Sequence, residues 1–245
     1  MSAQKGTINR DEILHFAKDS SAWWDEGGPF KPLHRLNPVR LGYIKDQICG
    51  HYDLDKLSLK PLLDLKILDI GCGGGLVCEP MARMGAKVTG IDADTNGINI
   101  ARTHAEKSDL SIQYICGAAD NLEEKFDVVL ALEVIEHTNN PAQFIKICTE
   151  RLKPNGLLIL STLNRTPKSF ALGIVAAEYV LRWVPRGTHH WSKFQKPSEI
   201  VRHARNNKLD ASDVTGLIFN PLKNDFALSK TDLDVNYLIT LKSRI

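Results

Sequence analysis

Residues 66–92, KILDIGCGGGLVCEPMARMGAKVTGID, constrain this chain more than any other stretch. Residues 66–70 form a short apolar run of buried-strand character that meets the cluster Gly71-Cys72-Gly73-Gly74-Gly75, and residues 76–84 then take helical spacing. Glycines suit a tight turn and let a ligand approach the backbone where a Cβ would stand in the way. The free N–H groups opening the next helix favour polar or anionic ligand atoms. A second strand, 87–91, delivers Asp92 about 20 residues beyond Gly71, the reach at which a carboxylate takes a ribose diol. Strand, glycine turn, helix, strand and acid together read as a unit built to hold an adenosine.

The glycine spacing decides which adenosine cofactor is expected. A dinucleotide fingerprint needs G-x-G-x-x-G, and glycines at 71, 73, 74 and 75 do not provide it. The run D-I-G-C-G-G-G resembles motif I of the class I S-adenosylmethionine-dependent methyltransferases, in which an acidic residue opens the motif and no pyrophosphate is cradled.

With 245 residues, 43% of them apolar and 24% charged, the chain supports one large α/β domain with extensions rather than disorder. A net charge of +2 and the lack of a long basic stripe give no reason to expect a nucleic-acid partner. Cys49, Cys72, Cys78, Cys116 and Cys148 lack the paired spacing of zinc sites and read as reduced thiols, with Cys72 a small residue of the glycine turn. No stretch reaches the roughly 18 consecutive apolar residues of a membrane span. A cytoplasmic protein is expected, with the inner face of the cytoplasmic membrane left open as a peripheral location.

Residues 10–24 have an amphipathic helical pattern ending in Trp23-Trp24, broken by Asp25-Glu26-Gly27-Gly28-Pro29. In 30–44, FKPLHRLNPVRLGYI, Pro38 is placed to open a second helix running to about Gly50. Residues 1–55 are accordingly read as an N-terminal helical cap and 56–245 as the catalytic domain. Two readings fit the cap, a cover folded over the site and a packed extension whose aromatics fill core.

Beyond the glycine unit, 94–107 reads as a helix and 112–116 as a third strand, followed by Gly117-Ala118-Ala119-Asp120 at a position where this fold contacts adenine. Residues 126–132 are nearly all apolar, as in a central parallel strand buried on both faces, and deliver Glu133-Val134-Ile135-Glu136-His137 to the ligand-binding edge. A helix over 141–152 is expected to stop at Lys153-Pro154-Asn155-Gly156, before a fifth strand at 157–162. Two final strands, 209–219 and 235–241, should pair antiparallel.

Further segments carry a sharper resemblance. WWDEGGPFKPLHRLNPVRLGYI, LDIGCGGG, EVIEH, STLNRTPKS, AEYVLRWVPRGTH and the closing DVNY, spread from about Trp23 to Tyr237, resemble the ubiquinone-biosynthesis O-methyltransferases. That resemblance implies an α/β, Rossmann-like fold, a seven-stranded mostly parallel sheet with helices on both faces and an insertion after the fifth strand. It also implies S-adenosylmethionine as cofactor and polyprenylated phenols and quinols, 2-polyprenyl-6-hydroxyphenol and 3-demethylubiquinol, as substrates. Other ubiquinone-biosynthesis enzymes become candidate partners. Arg40, of the N-P-x-R segment, is implied as a cofactor contact, and a guanidinium suits the methionyl carboxylate. Gly71, Asp92 and Leu132 complete the expected cofactor set.

Turning helical after Glu133 would put Glu133, Glu136 and His137 at i, i+3 and i+4, facing one way. The resemblance carries a divalent metal, Mg²⁺, onto these three residues, where it would lower the pKa of catechol oxygens. Alternatively His137 and Glu136 act as acid/base residues, since a phenol with pKa near ~10 is a poor nucleophile until it loses its proton. E-x-x-E-H also occurs here in methyltransferases that use no metal. Two rival functions stay open: methylation of a soluble phenol, and a non-catalytic subunit that holds lipid intermediates.

Residues 168–184, KSFALGIVAAEYVLRWV, are apolar almost all round, too short to span a bilayer, and flanked by Arg165, Lys168, Arg182, Arg186, Lys193 and Lys196 with Trp183, Trp191 and Phe194. Cations beside interfacial aromatics suit contact with an anionic membrane surface through 165–195. A buried lid or interface helix is the other reading.

Overall fold

The structure is a computed structural model that describes residues 17–172, 174, 190–221 and 223–244. One mixed sheet of eight strands in the order β3-β2-β1-β4-β5-β8-β6-β7 organises the described chain. β1 (Lys66–Ile70), β2 (Lys87–Asp92), β3 (Gln113–Cys116), β4 (Phe126–Leu132) and β5 (Leu152–Leu163) run parallel. β6 (Leu209–Asn220), β7 (Asp225–Ser229) and β8 (Asn236–Ser243) join antiparallel, with β8 lying between β5 and β6. Strand order reverses at β1 and β4, so the crevice beyond their carboxyl ends is where such a sheet takes a ligand.

Successive strand residues point to opposite faces and feed two cores. Ile67, Val88, Val128, Leu130 and Ile159 face one core, and Leu68, Ile91, Val129, Ala131 and Leu160 face the other. The first is covered by α1 (Lys31–Tyr52), α2 (Cys78–Arg83) and α3 (Thr95–Lys107); the second by α4 (Pro141–Glu150) and α5 (Pro197–Asn206). Helices therefore lie on both faces, as the resemblance implied.

Four expectations change. The sheet has eight strands rather than seven: the extra one, β7, is a half-exposed edge strand of five residues, with too few apolar side chains to stand out in the sequence. α1 begins at Lys31 and passes through Pro38 instead of starting there. Pro32 sits in the first turn, where its missing N–H costs nothing, and Pro38 forgoes one bond while Leu36, Tyr43, Ile44 and Ile48 bury the helix. β5 starts at Leu152, before the expected stop at 153–156. Phe126 pairs with Leu152, the register then shifts, and Val128 pairs with Leu157, so the Pro-Asn-Gly run is absorbed as an irregularity within the strand.

The fourth concerns the N-terminus. Of the helix expected over 10–24, residues 10–16 lie outside the described residues, and Ala17–Ala22 is a 3₁₀ helix. α1 is a layer of the core, whereas the strap from Ser20 to Phe30 crosses the glycine turn.

Candidate active site

β1 runs into Gly71, whose left-handed φ of 75° turns the backbone back so that its N–H reaches the carbonyl of Ile91 at 2.8 Å. Glycine is required here for a second reason, because a Cβ would strike the Val134 side chain at the end of β4. Gly73 and Gly74 likewise leave no room for a Cβ, and the obstruction is the Trp23 ring of the N-terminal strap. Protein packing, and not only the approach of a ligand, therefore dictates the glycines.

Asp92, ending β2, accepts from the N–H of Gly73 and of Asp94, both at 2.8 Å. It thereby fixes the turn while its remaining lone pairs stay available for a ribose diol. Burial raises its pKa and the two N–H groups oppose the rise. Leu132 closes β4 beside Ser161 of β5.

Arg40 comes to this crevice from the middle of α1 and is only 5% exposed. Its Nη2 donates to Asn37 Oδ1 at 2.9 Å, and Asn37 Nδ2 donates to the carbonyl of Leu76 at 2.8 Å, which ties the guanidinium to the far end of the glycine turn. Its Nε is buried without a hydrogen-bond partner. Desolvation lowers its pKa, opposed by the charges of Glu133 and Asp69. Those two acids stand at the ends of β4 and β1, so Arg40 lies across the switch point. Asp69, the acid that opens the glycine motif, is itself pushed up to about 7 by burial, partly relieved by the Cys78 thiol at 3.3 Å and by Arg40. A buried, incompletely paired guanidinium fits the carboxylate end of an amino-acid cofactor.

The acids after β4 are arranged differently from the helical expectation. Glu133 has φ of 58°, outside any helix, and Ile135–His137 is a single 3₁₀ turn. Glu133 Oε1 accepts from Ser161 Oγ at 2.7 Å and from Asn236 Nδ2 at 3.1 Å. Glu136, 2% exposed, accepts at Oε2 from Thr162 Oγ1 at 2.8 Å, and its Oε1 has no partner. Burial first, and then the charge of Glu133, raise the Glu136 pKa well above the ordinary carboxylate value, while His137 acts in the opposite sense. Ser161, Thr162 and Asn236 were not singled out in the sequence. They hold the two carboxylates from β5 and β8, and only the S-T-L-N and D-V-N-Y segments hinted at them.

The two carboxylates, with Glu136 Oε1 unpartnered, offer the oxygen donors a hard divalent cation takes, whereas the imidazole is an unusual ligand for Mg²⁺. Among the described residues, no group of three or more His, Cys, Asp and Glu is gathered to hold one. Ser161 and Thr162 are consecutive on β5 and point to opposite faces, so they draw Glu133 and Glu136 apart. These acids would have to turn towards one point to share an ion. Asp120 lies exposed on a 3₁₀ turn, Ala119–Asn121, beyond β3.

A mostly parallel sheet with a glycine turn after β1, an acid ending β2 and a buried arginine across the switch point defines a class I S-adenosylmethionine-dependent methyltransferase. A family model described as a methyltransferase domain matches residues 68–160. The fold is similar to that of magnesium protoporphyrin IX methyltransferase from Synechocystis PCC 6803, solved with bound cofactor, at a TM-score of 0.63 and 16% identity over 98% of this chain and 100% of that one. Within that class, the chain is 48% identical to the ubiquinone biosynthesis O-methyltransferase of Bradyrhizobium diazoefficiens, over 99% of this chain and 97% of the relative. It is 49% identical to that of Roseobacter denitrificans, over 97% of both. The chain belongs to the ubiquinone biosynthesis O-methyltransferase family, and S-adenosylmethionine is its methyl donor.

Proposed function

We propose that this chain methylates phenolic hydroxyls of polyprenylated intermediates of ubiquinone synthesis, 2-polyprenyl-6-hydroxyphenol and 3-demethylubiquinol, with Glu136 and His137 handling the proton. The observation that carries the proposal is the buried Glu136 carboxyl beyond β4, with Oε1 unpartnered and its proton affinity raised. S-adenosylmethionine supplies a methyl group on a sulfonium, a good leaving group. Arg40 grips the methionyl carboxylate, Asp92 takes the ribose hydroxyls, and Gly71 and Leu132 border the adenosine and methionyl parts. Held there, the sulfonium would give its methyl carbon to a phenol oxygen, the new O–C bond forming as the C–S bond breaks with its electron pair left on sulfur. The phenol proton passes to the Glu136 carboxylate, with His137 beside it. Placement accounts for much of the rate, because an aligned nucleophile is what the sulfonium lacks.

A divalent cation held by Glu133, Glu136 and His137 would supply catechol chelation and a lower phenol pKa. Methyl transfer to a prenylated catechol, assayed with EDTA and then with Mg²⁺ restored, separates the two arrangements. Transfer lost in EDTA and regained with Mg²⁺ assigns the three residues to metal; transfer indifferent to EDTA leaves Glu136 and His137 as proton acceptors. Equal turnover of prenylated and tail-less catechols would point to a soluble substrate. Cofactor binding without any transfer would favour a scaffold.

A tail-bearing substrate resides in a bilayer, and residues 165–195 are the candidate contact. Most of 168–184, with Arg182, Trp183 and Arg186, lies outside the described residues. At its borders Phe170, 49% exposed, meets Trp191, 39% exposed, edge to face at 6.4 Å. Arg165 is paired with Glu199 and Lys168 with Asp232 and Asp234, so these two cations brace the base of the insertion rather than stand free for headgroups. Among the described residues, no helix is long and apolar enough to cross a membrane. In flotation, the protein should rise with anionic liposomes and a 165–187 deletion should stay behind. Identical behaviour of the two would remove the membrane role.

A further inference from the structure

Asp92 owes its orientation to two backbone donors. The N–H of Gly73 bonds its Oδ2 and the N–H of Asp94 its Oδ1, so each carboxylate oxygen is fixed by one peptide group. Neither donor belongs to a helix or a strand: Gly73 stands in the glycine turn with φ of 51°, and Asp94 is the extended residue that caps α3. No ladder of regular structure steadies these two peptide groups, and something else must.

The N-terminal strap reaches both. Ser20, 2% exposed, donates from Oγ to Asp94 Oδ2, the same oxygen that accepts from the N–H of Gly97 at 3.0 Å to cap α3. Three residues on, the Trp23 ring fills the space where Gly73 and Gly74 carry no Cβ. Trp24 Nε1 then donates to the carbonyl of Gly74 at 2.9 Å. The strap is itself well anchored. The Trp24 ring stacks on the imidazole of His104, on α3, with centroids 3.5 Å apart and planes within 4°, and His104 Nδ1 meets the buried carboxylate of Glu79 on α2. At its far end His34 Nε2, on α1, is hydrogen-bonded to the carbonyl of Trp23 at 2.9 Å, and Phe30 stacks on the Trp23 ring. One irregular segment thus clamps the two backbone stretches, 73–74 and 94, from which the ribose acid takes its aim.

We propose that Ser20 and Trp24 are positioning residues of the cofactor site that act through Asp92, fixing the peptide groups that aim its carboxylate while touching no part of the cofactor themselves. The inference rests on the reading of Asp92 as the ribose acid. A docked strap presents that acid ready aligned, so strap docking and cofactor binding favour each other by the same factor.

Action through another residue has a signature that packing lacks: the effect disappears when that residue is removed. Ser20→Ala deletes the bond to Asp94, and Trp24→Phe deletes the bond to Gly74 while keeping a ring on His104. Each should weaken binding of S-adenosylhomocysteine, read by calorimetric titration, by roughly three- to tenfold. Asp92→Ala alone should weaken it by roughly ten- to a hundredfold, the weight of hydrogen bonds to a charged group. Added to Asp92→Ala, either strap substitution should cost no more than about a further twofold. Losses of equal size with and without Asp92 would make the strap a packing element and overturn the proposal, as would wild-type affinity in both strap variants. The two variants break different bonds, so either one decides the matter if the other does not fold. Wild-type affinity in Asp92→Ala would remove the ribose role of Asp92, and this inference with it.

Discussion

Glu136→Gln should lower kcat by roughly 10²- to 10⁴-fold, the range that loss of a positioned proton acceptor produces, while leaving affinity for S-adenosylhomocysteine unchanged. Gln keeps an oxygen for Thr162 Oγ1 and fills the same buried space, so the effect isolates the proton. A steady-state assay over pH separates this from a packing defect. In the wild type, kcat/KM should rise with pH as the Glu136 carboxyl ionises, over a range displaced upward from ordinary glutamate by burial and by Glu133. That limb should vanish in the variant. Stability has its own sign: a carboxyl whose folded-state pKa is raised above its unfolded value makes the fold less stable as pH climbs through that range. The Tm of Glu136→Gln should therefore fall less steeply with rising pH than that of the wild type. Unchanged kcat would remove Glu136 from the chemistry.

Replacement of Arg40 acts on the other end of the site. Arg40→Met should weaken S-adenosylhomocysteine binding by roughly a hundredfold, since charge-assisted hydrogen bonds to a carboxylate are among the strong ones. The unliganded protein should lose much less. A buried guanidinium whose Nε has no protein partner is an expense to the apo fold, and removing it relieves desolvation while giving up attraction to Glu133 and Asp69. Thermal scans with and without S-adenosylhomocysteine read both effects. The ligand-induced rise in Tm should shrink sharply, because stabilisation scales with ligand concentration over Kd, while the apo Tm stays close to wild type. A full ligand shift in Arg40→Met would place the carboxylate elsewhere.

Much of the parallel half could be read in the sequence because periodicity and turn chemistry are local. The runs at 66–70, 87–91 and 126–132 match β1, β2 and β4 to within a residue, since each is bounded by charge or glycine and buried on both faces. The antiparallel pairing of β6 with β8 was legible too, for want of helical spacing between them. What failed was decided by distant partners. Pro38 reads as a helix start until the core-facing residues on both sides of it hold α1 together. Pro154 to Gly156 reads as a stop until the register shift against β4 takes up the irregularity. Sequence spacing placed the acids 133 and 136 at one strand end, but their orientation depends on Ser161, Thr162 and Asn236, which are near only in space. The reason for the glycines at 73 and 74 was hidden for the same cause, because Trp23 lies some fifty residues away in the chain.

The place of β8 bears on how the molecule comes into being. Among the described residues, β6 and β7 are joined to the parallel strands by strand pairing through β8, which follows them in the chain. As the chain emerges from the ribosome, the β6–β7 hairpin has no strand of the parallel half to pair with, and the free edge of β5 waits for the same strand. Tyr43 waits with them, since its hydroxyl bonds Asp213 of β6 and Thr240 of β8, both at 2.9 Å. Closure of the sheet is thus a late and long-range event, of the kind that slows folding and leaves an edge open to other chains in the interval.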